Sequence, residues 1–121
     1  MNGLGKKVWL IPDCFIPSKS TSQLSHDAIC VLNTGKIDAV IKLTLYFEDK
    51  APIRDYEAFC KADRTHHIRM DKILSKSGEP VPRDVPYAAL VESNTEIVVQ
   101  YSRLDTSSSM ALMTTIAYPV E

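Results

Sequence analysis

The sequence predicts an all-β protein: an antiparallel β-sandwich of jelly-roll type, with about eight strands in a single domain over residues 1–121. Three observations support this prediction. Several short segments alternate apolar and polar residues with a period of two, as half-buried strands do. Turn-forming residues separate these segments at short intervals, which is typical of sandwiches and barrels. Helical periodicity is weak, and 121 residues suit one domain that buries roughly two-thirds of its unfolded surface.

The clearest strand is predicted within residues 36–49, KIDAVIKLTLYFED. Six apolar side chains at alternate positions fall on one of its sides: Ile37, Ala39, Ile41, Leu43, Leu45 and Phe47. Polar side chains occupy most of the other positions. The preceding segment DAICVLN, residues 27–33, is expected to pair with it as a hairpin, because the intervening NTGK supplies the Asn and Gly of a tight reversal.

The remaining strands are shorter. KVWLI (7–11) begins the fold, and YEAFCKA (56–62) and residues 64–70 form two middle strands. AALVES (88–93) and EIVVQYSRL (96–104) are expected to form a second hairpin around Asn94 and Thr95. MALMTTIAY (110–118) closes the chain. We expect loops at residues 17–25, which are rich in Ser and Thr, and at 75–86, because proline is excluded from central strands.

The composition argues against several function classes. A net charge of −1 and a pI near 6.3 do not favour bulk attraction to nucleic acid or anionic lipid. The three cysteines, Cys14, Cys30 and Cys60, are expected to be buried thiols in a reducing compartment. No apolar run has the length of a signal peptide core or a spanning helix, so we expect a cytoplasmic protein. No nucleotide-binding, zinc-protease or serine-hydrolase motif occurs. The sequence therefore predicts no enzyme activity, no cofactor and no metal site.

A dense polar run, DRTHHIRMD, covers residues 63–71. On a strand, His66 and His67 point to opposite faces, so they cannot both bind one metal ion. Thr65, His67 and Arg69 share a face, with about 6–7 Å between successive side chains. These three side chains could grip a carboxylate, a phosphate or a polyol. The alternative is a solvated outer face with some cross-strand pairing.

The tripeptide SHD at residues 25–27 lies where a loop meets a strand. Adjacent residues on an extended chain diverge, so Ser25, His26 and Asp27 do not form a nucleophilic triad. We expect Ser25 or Asp27 to hydrogen-bond loop backbone amides, with His26 half buried.

The segment IVVQYSRLD, residues 97–105, carries polar side chains within an apolar run. A polar group in a core strand without partners costs about 1–3 kcal/mol. Gln100 and Arg103 are therefore expected to bond a neighbouring strand, another subunit or a ligand. Arg103 and Asp105 share one face and could also hold a subunit boundary.

Taken together, five segments make the chain resemble the sensory rhodopsin transducer family: SHDAICVLNTG, LTLYFEDKAPI, RTHHIRMD, SNTEIVVQYSRLD and TIAY. They occur in the same order and span about Trp9 to Tyr118. The resemblance implies a small cytoplasmic β-sandwich that forms a homotetramer and receives a signal from a membrane photoreceptor. It also implies candidate binding or structural positions at His26, Asn33, Arg64, Thr65, His67, Arg69, Gln100, Arg103 and Asp105. The chain differs from the family pattern at Asp27, where the pattern has Glu.

Three functions follow from the residues and the resemblance. The first is a non-enzymatic signalling or adaptor protein that binds a protein partner. The second is a binding module for a carbohydrate-like small molecule, in which His26, His67, Arg69 and Arg103 line a cleft. The third is DNA binding with transcriptional control, in which a tetramer concentrates Arg64, Arg69 and Lys72 on one face.

Overall fold

The computed structural model describes residues 3–121 and confirms the predicted all-β antiparallel architecture. The described residues contain no helix, and hence none long and apolar enough to cross a membrane. Their eight strands are β1 (Lys6–Cys14), β2 (His26–Asn33), β3 (Ala39–Phe47), β4 (Ile53–Cys60), β5 (Arg64–Arg69), β6 (Tyr87–Asp105), β7 (Ala111–Ile116) and β8 (Tyr118–Val120).

The strands form two sheets that share β6. The first sheet has the order β4-β3-β6-β1-β8, and the second has the order β5-β2-β6-β7. The first half of β6 pairs with β3 as far as the Ser93–Ile41 pair and with β1 as far as the Ile97–Lys6 pair. Its second half pairs with β2 from the Val98–Leu32 pair onward. This long strand therefore carries the chain from one layer of the sandwich to the other.

The predicted hairpin at Asn94 and Thr95 is wrong, because β6 continues through both residues. The side-chain oxygen of Asn94 accepts a hydrogen bond of 2.7 Å from the Val40 backbone amide, so the side chain caps a backbone group of β3. Thr95 is buried. These turn-forming residues mark the point at which β6 leaves the first sheet and enters the second.

The predicted hairpin at NTGK is also wrong, although the turn itself is present. β2 lies in the second sheet and β3 in the first, and they do not pair with each other within the described residues. The side chain of Asn33 holds the connection, accepting a hydrogen bond from the Gly35 amide at 3.0 Å and donating to the Ile37 carbonyl at 2.9 Å. The chain thus crosses between the layers here.

The predicted closing strand is divided in two. Ala117 interrupts it, is buried, and donates its amide to the Val99 carbonyl at 3.0 Å. The chain then passes from β7 in the second sheet to β8 in the first. The total of eight strands therefore agrees with the prediction because one predicted pair is merged and one predicted strand is split.

The core lies between the layers and is built by period-two burial. Four of the six predicted inward residues of β3 are fully buried, whereas Ile37 precedes the strand and is exposed. Trp9 belongs to this core, and its indole N–H lies 3.1 Å from the Ile97 carbonyl. The largest fully buried side chains include Tyr56, Tyr101, Ile11, Ile16, Ile29, Ile41, Leu43, Leu45 and Met70.

The two long loops pack against each other at one end of the sandwich. Arg83 donates from Nη1 to the Pro17 carbonyl at 2.7 Å and to the Ser25 carbonyl at 3.3 Å. The amide of Asp84 donates to the carbonyl of Ile16, whose side chain is fully buried. These contacts tie the loop before β2 to the loop before β6.

Candidate functional site

The outer surface of the second sheet gathers five of the nine candidate residues. The strand register places Cys30 between His67 on β5 and Gln100 on β6. Side chains alternate between the two faces of a strand, and the intervening residues of β2 and β6 are buried. We use the name polar face for the outward-pointing residues His26, Thr65, His67, Arg69 and Gln100.

A shallow cleft of about 260 Å³ lies on the polar face, lined in part by Cys30, Thr65, His67, Gln100 and Ile116. The hydroxyl of Thr65 donates to the Val31 carbonyl at 3.1 Å. Each of these polar groups retains bonding capacity beyond its contacts within the sheet. A hydroxyl, an imidazole and a carboxamide beside an apolar side chain suit a small polyhydroxylated ligand.

Gln100 has the specific partner that its position predicts. Its Nε2 atom donates to the Thr114 hydroxyl of β7 at 2.6 Å, so the partner is a neighbouring strand. His26 is half buried as expected, and its Nδ1 lies 2.9 Å from the Leu24 carbonyl. A carbonyl oxygen only accepts, so Nδ1 carries the proton in this contact.

Arg69 forms an ion pair with Asp71. Its Nε and Nη2 atoms donate to the two carboxylate oxygens of Asp71 at 2.8 and 2.9 Å, and the Asp71 side chain is only 2% exposed. Burial alone raises the pKa of Asp71, but the bonds and charge of Arg69 outweigh it and hold that pKa below its usual value. Arg83 approaches the same carboxylate at 3.8 Å. Arg69 therefore anchors the loop that follows β5.

A second cluster lies inside the sandwich around Asp27, which is fully buried. The hydroxyls of Tyr87 and Tyr101 both donate to its Oδ2 atom, at 2.6 and 2.7 Å. Its Oδ1 atom is buried without a hydrogen-bond partner among the described residues. Burial raises the pKa of Asp27 to about 6, against the lowering effect of the two tyrosine bonds. Cys14 lies nearby, and burial together with the Asp27 charge raises the pKa of its thiol.

Arg103 borders this cluster and binds β1. Its Nε atom donates to the Tyr101 hydroxyl at 3.4 Å, and Nη2 lies 3.4 Å from a carboxylate oxygen of Asp13. The guanidinium also lies over the rings of Phe15 and Tyr101, at 5.9 and 5.6 Å from their centres. Arg103 thus joins the two sheets and lies apart from the polar-face cleft.

The other three candidate residues lie elsewhere. Asn33 is buried, and its amide donates to the Cys60 carbonyl at 3.0 Å in addition to its contacts in the NTGK turn. Arg64 is exposed and donates to the Asp63 carbonyl at 2.9 Å. Asp105 accepts bonds from the amide and hydroxyl of Ser107 at 2.9 and 2.6 Å. The structure therefore divides the nine residues between the polar face, the border of the Asp27 cluster and local turns.

The expectation that Ser25 or Asp27 bonds loop backbone is met by Ser25. The hydroxyl of Ser25 accepts the Thr106 amide at 2.9 Å, as predicted for a residue that bonds loop backbone. Asp27 instead points inward to two tyrosines. The alternation of Asp27 with the apolar Ile29 and Val31 is the signal that could have revealed its burial.

Cysteine placement departs from the prediction in one case. Cys14 and Cys60 are buried, whereas Cys30 is only half buried on the outer side of β2, with its thiol 3.8 Å from the Ser102 hydroxyl. Within residues 3–121, no group of three or more His, Cys, Asp or Glu side chains converges in a way that could hold a metal ion.

Comparisons with known proteins agree with the fold and extend over nearly the whole chain. A family model described as Anabaena sensory rhodopsin transducer matches residues 4–119. The crystal structure of Thermotoga maritima 1070 is 36% identical, with a TM-score of 0.86 and coverage of 97% of each chain. The structure of the Anabaena sensory rhodopsin transducer is 35% identical, with a TM-score of 0.74, and the match covers 84% of this chain and 90% of that one. No curated protein matches the sequence.

Proposed function

This chain belongs to the Anabaena sensory rhodopsin transducer family, and on that premise we propose that it is a non-enzymatic, cytoplasmic signalling adaptor that acts as a homotetramer. The partner in this proposal is a membrane photoreceptor, because a relative that is 35% identical is named as the transducer of a sensory rhodopsin. The match over residues 4–119 is the observation that carries the proposal.

The exposure of β7 supports self-association. All six residues of this strand are exposed, and Leu112 and Ile116 expose 77% and 63% of their surface. β7 is the edge of the second sheet, and within the described part of the chain it pairs with β6 alone. Natural proteins rarely leave an apolar edge uncovered, and association of identical chains usually closes with symmetry. In this proposal, a second copy of this chain packs against β7 and buries its apolar side chains.

Two measurements test this proposal. Light scattering at micromolar concentration is expected to give about four times the chain mass of 13.5 kDa. Titration of the protein against a purified sensory rhodopsin in nanodiscs is expected to show saturable binding. A monomer in the first measurement would contradict the tetramer. Absence of binding by a folded tetramer in the second would contradict the photoreceptor as partner.

A second candidate function, binding of a carbohydrate-like small molecule, is supported by the cleft on the polar face. A thermal-shift screen of sugars, sugar acids and phosphates tests it, with stabilisation of about 2.7 kcal/mol at a hundredfold excess over the dissociation constant. His67→Ala is expected to abolish the shift. His66→Ala is the matched control, because this adjacent histidine does not line the cleft. A screen without any shift, or a shift that survives His67→Ala, removes this candidate.

DNA binding has less support. The guanidinium of Arg64 bonds its neighbouring carbonyl, and Arg69 is neutralised by Asp71. The net charge of −1 also disfavours a phosphate-binding surface. Binding to duplex DNA that weakens steeply between low and moderate salt would restore this alternative.

A further inference from the structure

Two strand edges open onto the same side of the sandwich. β4 is the edge of the first sheet and β5 the edge of the second, and only residues 61–63 connect them. Among the described residues, neither strand pairs with the other. An open groove of about 500 Å³ lies between the two edges. This groove therefore separates two incomplete hydrogen-bonding ladders.

Unpaired peptide groups of β5 face this groove. The amide of Met70 donates to the Asp27 carbonyl at 3.2 Å, in the register that pairs Ile68 with Ile29. In an antiparallel pair the hydrogen-bonded residues alternate. The even-numbered residues of β5 therefore bond β2, and the N–H and C=O groups of Thr65 and His67 point away from it. A strand added at this edge would find those groups already aligned.

Unpaired peptide groups of β4 face the groove in the same way. The amide of Val40 points toward β6, where it bonds the Asn94 side chain. The odd-numbered residues of β3 therefore bond β4 through its even-numbered residues, such as Ala58 opposite Ile41. The N–H and C=O groups of Glu57 and Phe59 therefore point away from β3. The groove has unpaired backbone on both walls.

The side chains around the groove favour one type of occupant. Phe59 is 56% exposed, and Ile68 and Ile73 give the groove an apolar floor. Glu57 is neutralised by Lys76 at 3.6 Å. Arg69 is likewise neutralised by Asp71.

The remaining polar groups of the rim are basic. Lys72 is exposed and has no ion-pair partner among the described residues. His66 and His67 line the same groove as Lys72. An acidic segment with alternating apolar side chains therefore complements both the floor and the rim.

We propose that the groove between β4 and β5 binds an extended segment of a partner protein, added as a strand to the edge of β5 and carrying alternating apolar and acidic side chains. Backbone hydrogen bonds to Thr65 and His67 supply affinity, and pockets for alternate side chains supply specificity. The segment would be about six residues long, matching β5. The inference rests on the proposed function in one respect, that this chain acts by binding another protein.

The test uses a synthetic seven-residue peptide of alternating Glu and Val, with both ends capped, titrated into the full chain by calorimetry and NMR. We expect saturable binding, with the largest amide shifts at Thr65 and His67. A Lys-Val peptide is expected to bind at least fivefold more weakly. The Glu-Val peptide with N-methyl groups on alternate amides should not bind, because it cannot form the ladder.

Two variants with the same charge change locate the site. Lys72→Glu should lower the affinity for the Glu-Val peptide at least fivefold. Lys7→Glu, a control at an exposed position on β1, should leave the affinity for this peptide unchanged. The inference is overturned if the folded protein does not bind the peptide, if the N-methylated peptide binds equally, or if both variants behave alike. It is also overturned if Lys72→Glu dissociates the oligomer, since a second copy would then occupy the groove.

The photoreceptor titration separates this inference from the proposed function. If the receptor binds but the peptide does not, the groove proposal fails and the adaptor proposal stands. If the peptide binds but the receptor does not, the groove proposal stands and the photoreceptor is excluded as partner.

Discussion

The hydroxyl of Tyr87 donates a hydrogen bond of 2.6 Å to the Oδ2 atom of Asp27, across 60 residues of sequence. Tyr87 lies in the half of β6 that belongs to the first sheet, whereas Asp27 lies on β2 of the second. Tyr101, in the other half of β6, donates to the same oxygen. One buried carboxyl group therefore ties the two layers together, and its second oxygen has no hydrogen-bond partner among residues 3–121.

Replacing Asp27 by Asn is expected to remove a pH dependence from stability. The pKa of Asp27 is about 6 in the folded chain, against 3.8 for an unperturbed aspartate. The folded state thus holds this proton more tightly, so the contribution of Asp27 to the free energy of unfolding is greatest below about pH 4 and is lost as pH rises to about 6. The loss amounts to at most about 3 kcal/mol.

Urea unfolding of both proteins between pH 4 and pH 8 measures this difference. The stability of the wild type relative to Asp27→Asn should decrease from pH 4 to pH 6 and then stay constant. If the free energies of unfolding of the two proteins differ by a constant amount over the whole pH range, Asp27 does not titrate in this window.

Removing either tyrosine hydroxyl is expected to destabilise the protein and to raise the pKa of Asp27 further. Tyr87→Phe and Tyr101→Phe each remove a donor to the buried carboxylate, at a cost of about 1–3 kcal/mol. Tyr101→Phe should cost more, because the Tyr101 hydroxyl also accepts the Phe15 amide at 3.0 Å. Denaturant unfolding gives the energies, and carboxyl ¹³C NMR gives the titration of Asp27. An unchanged titration in both variants would contradict this account of the cluster.

Asn33→Ala is expected to cost about 2–4 kcal/mol, because it removes the hydrogen bonds that a buried side chain makes with two carbonyls and one amide. The same variant should leave the affinity for any polar-face ligand unchanged, since Asn33 lies outside that cleft. Chemical unfolding and a thermal-shift titration measure the two quantities. If the variant is as stable as the wild type but has lost its affinity for the ligand, Asn33 is a binding residue and this account is wrong.

Ile116→Glu is expected to lower the oligomer mass, because it places a charge on the apolar surface of β7 that the tetramer would bury. Ile37→Glu is the matched control, since Ile37 is similarly exposed, at 57%, but lies in the turn before β3. Light scattering of the two variants at equal concentration checks the prediction. An intact tetramer in Ile116→Glu, or equal dissociation in both variants, would place the subunit interface elsewhere.

Much of the candidate site could be predicted from the local sequence pattern. The alternation in RTHHIR correctly separates His66 from His67 and puts Thr65, His67 and Arg69 on one side of β5. Resemblance alone could not distinguish binding residues from structural ones among the nine candidates. Asn33 and Asp105 make local turn contacts, and the partner of Arg103 is Asp13, 90 residues away. Sequence spacing carries no information about contacts of that range.

By itself the sequence determined the fold class and the buried side of most strands, because period-two alternation is a local property that every strand carries within itself. Only the tertiary structure decided which strands pair, since ladder hydrogen bonds join backbones that are chemically alike. In the folded chain β2 pairs with β5 and β6, whereas the sequence predicted that it pairs with β3. Strand β6 continues through Asn94 into the second sheet. The tertiary structure also buried Asp27 against two tyrosines that are 60 and 74 residues away, a contact that exists only once the layers have stacked.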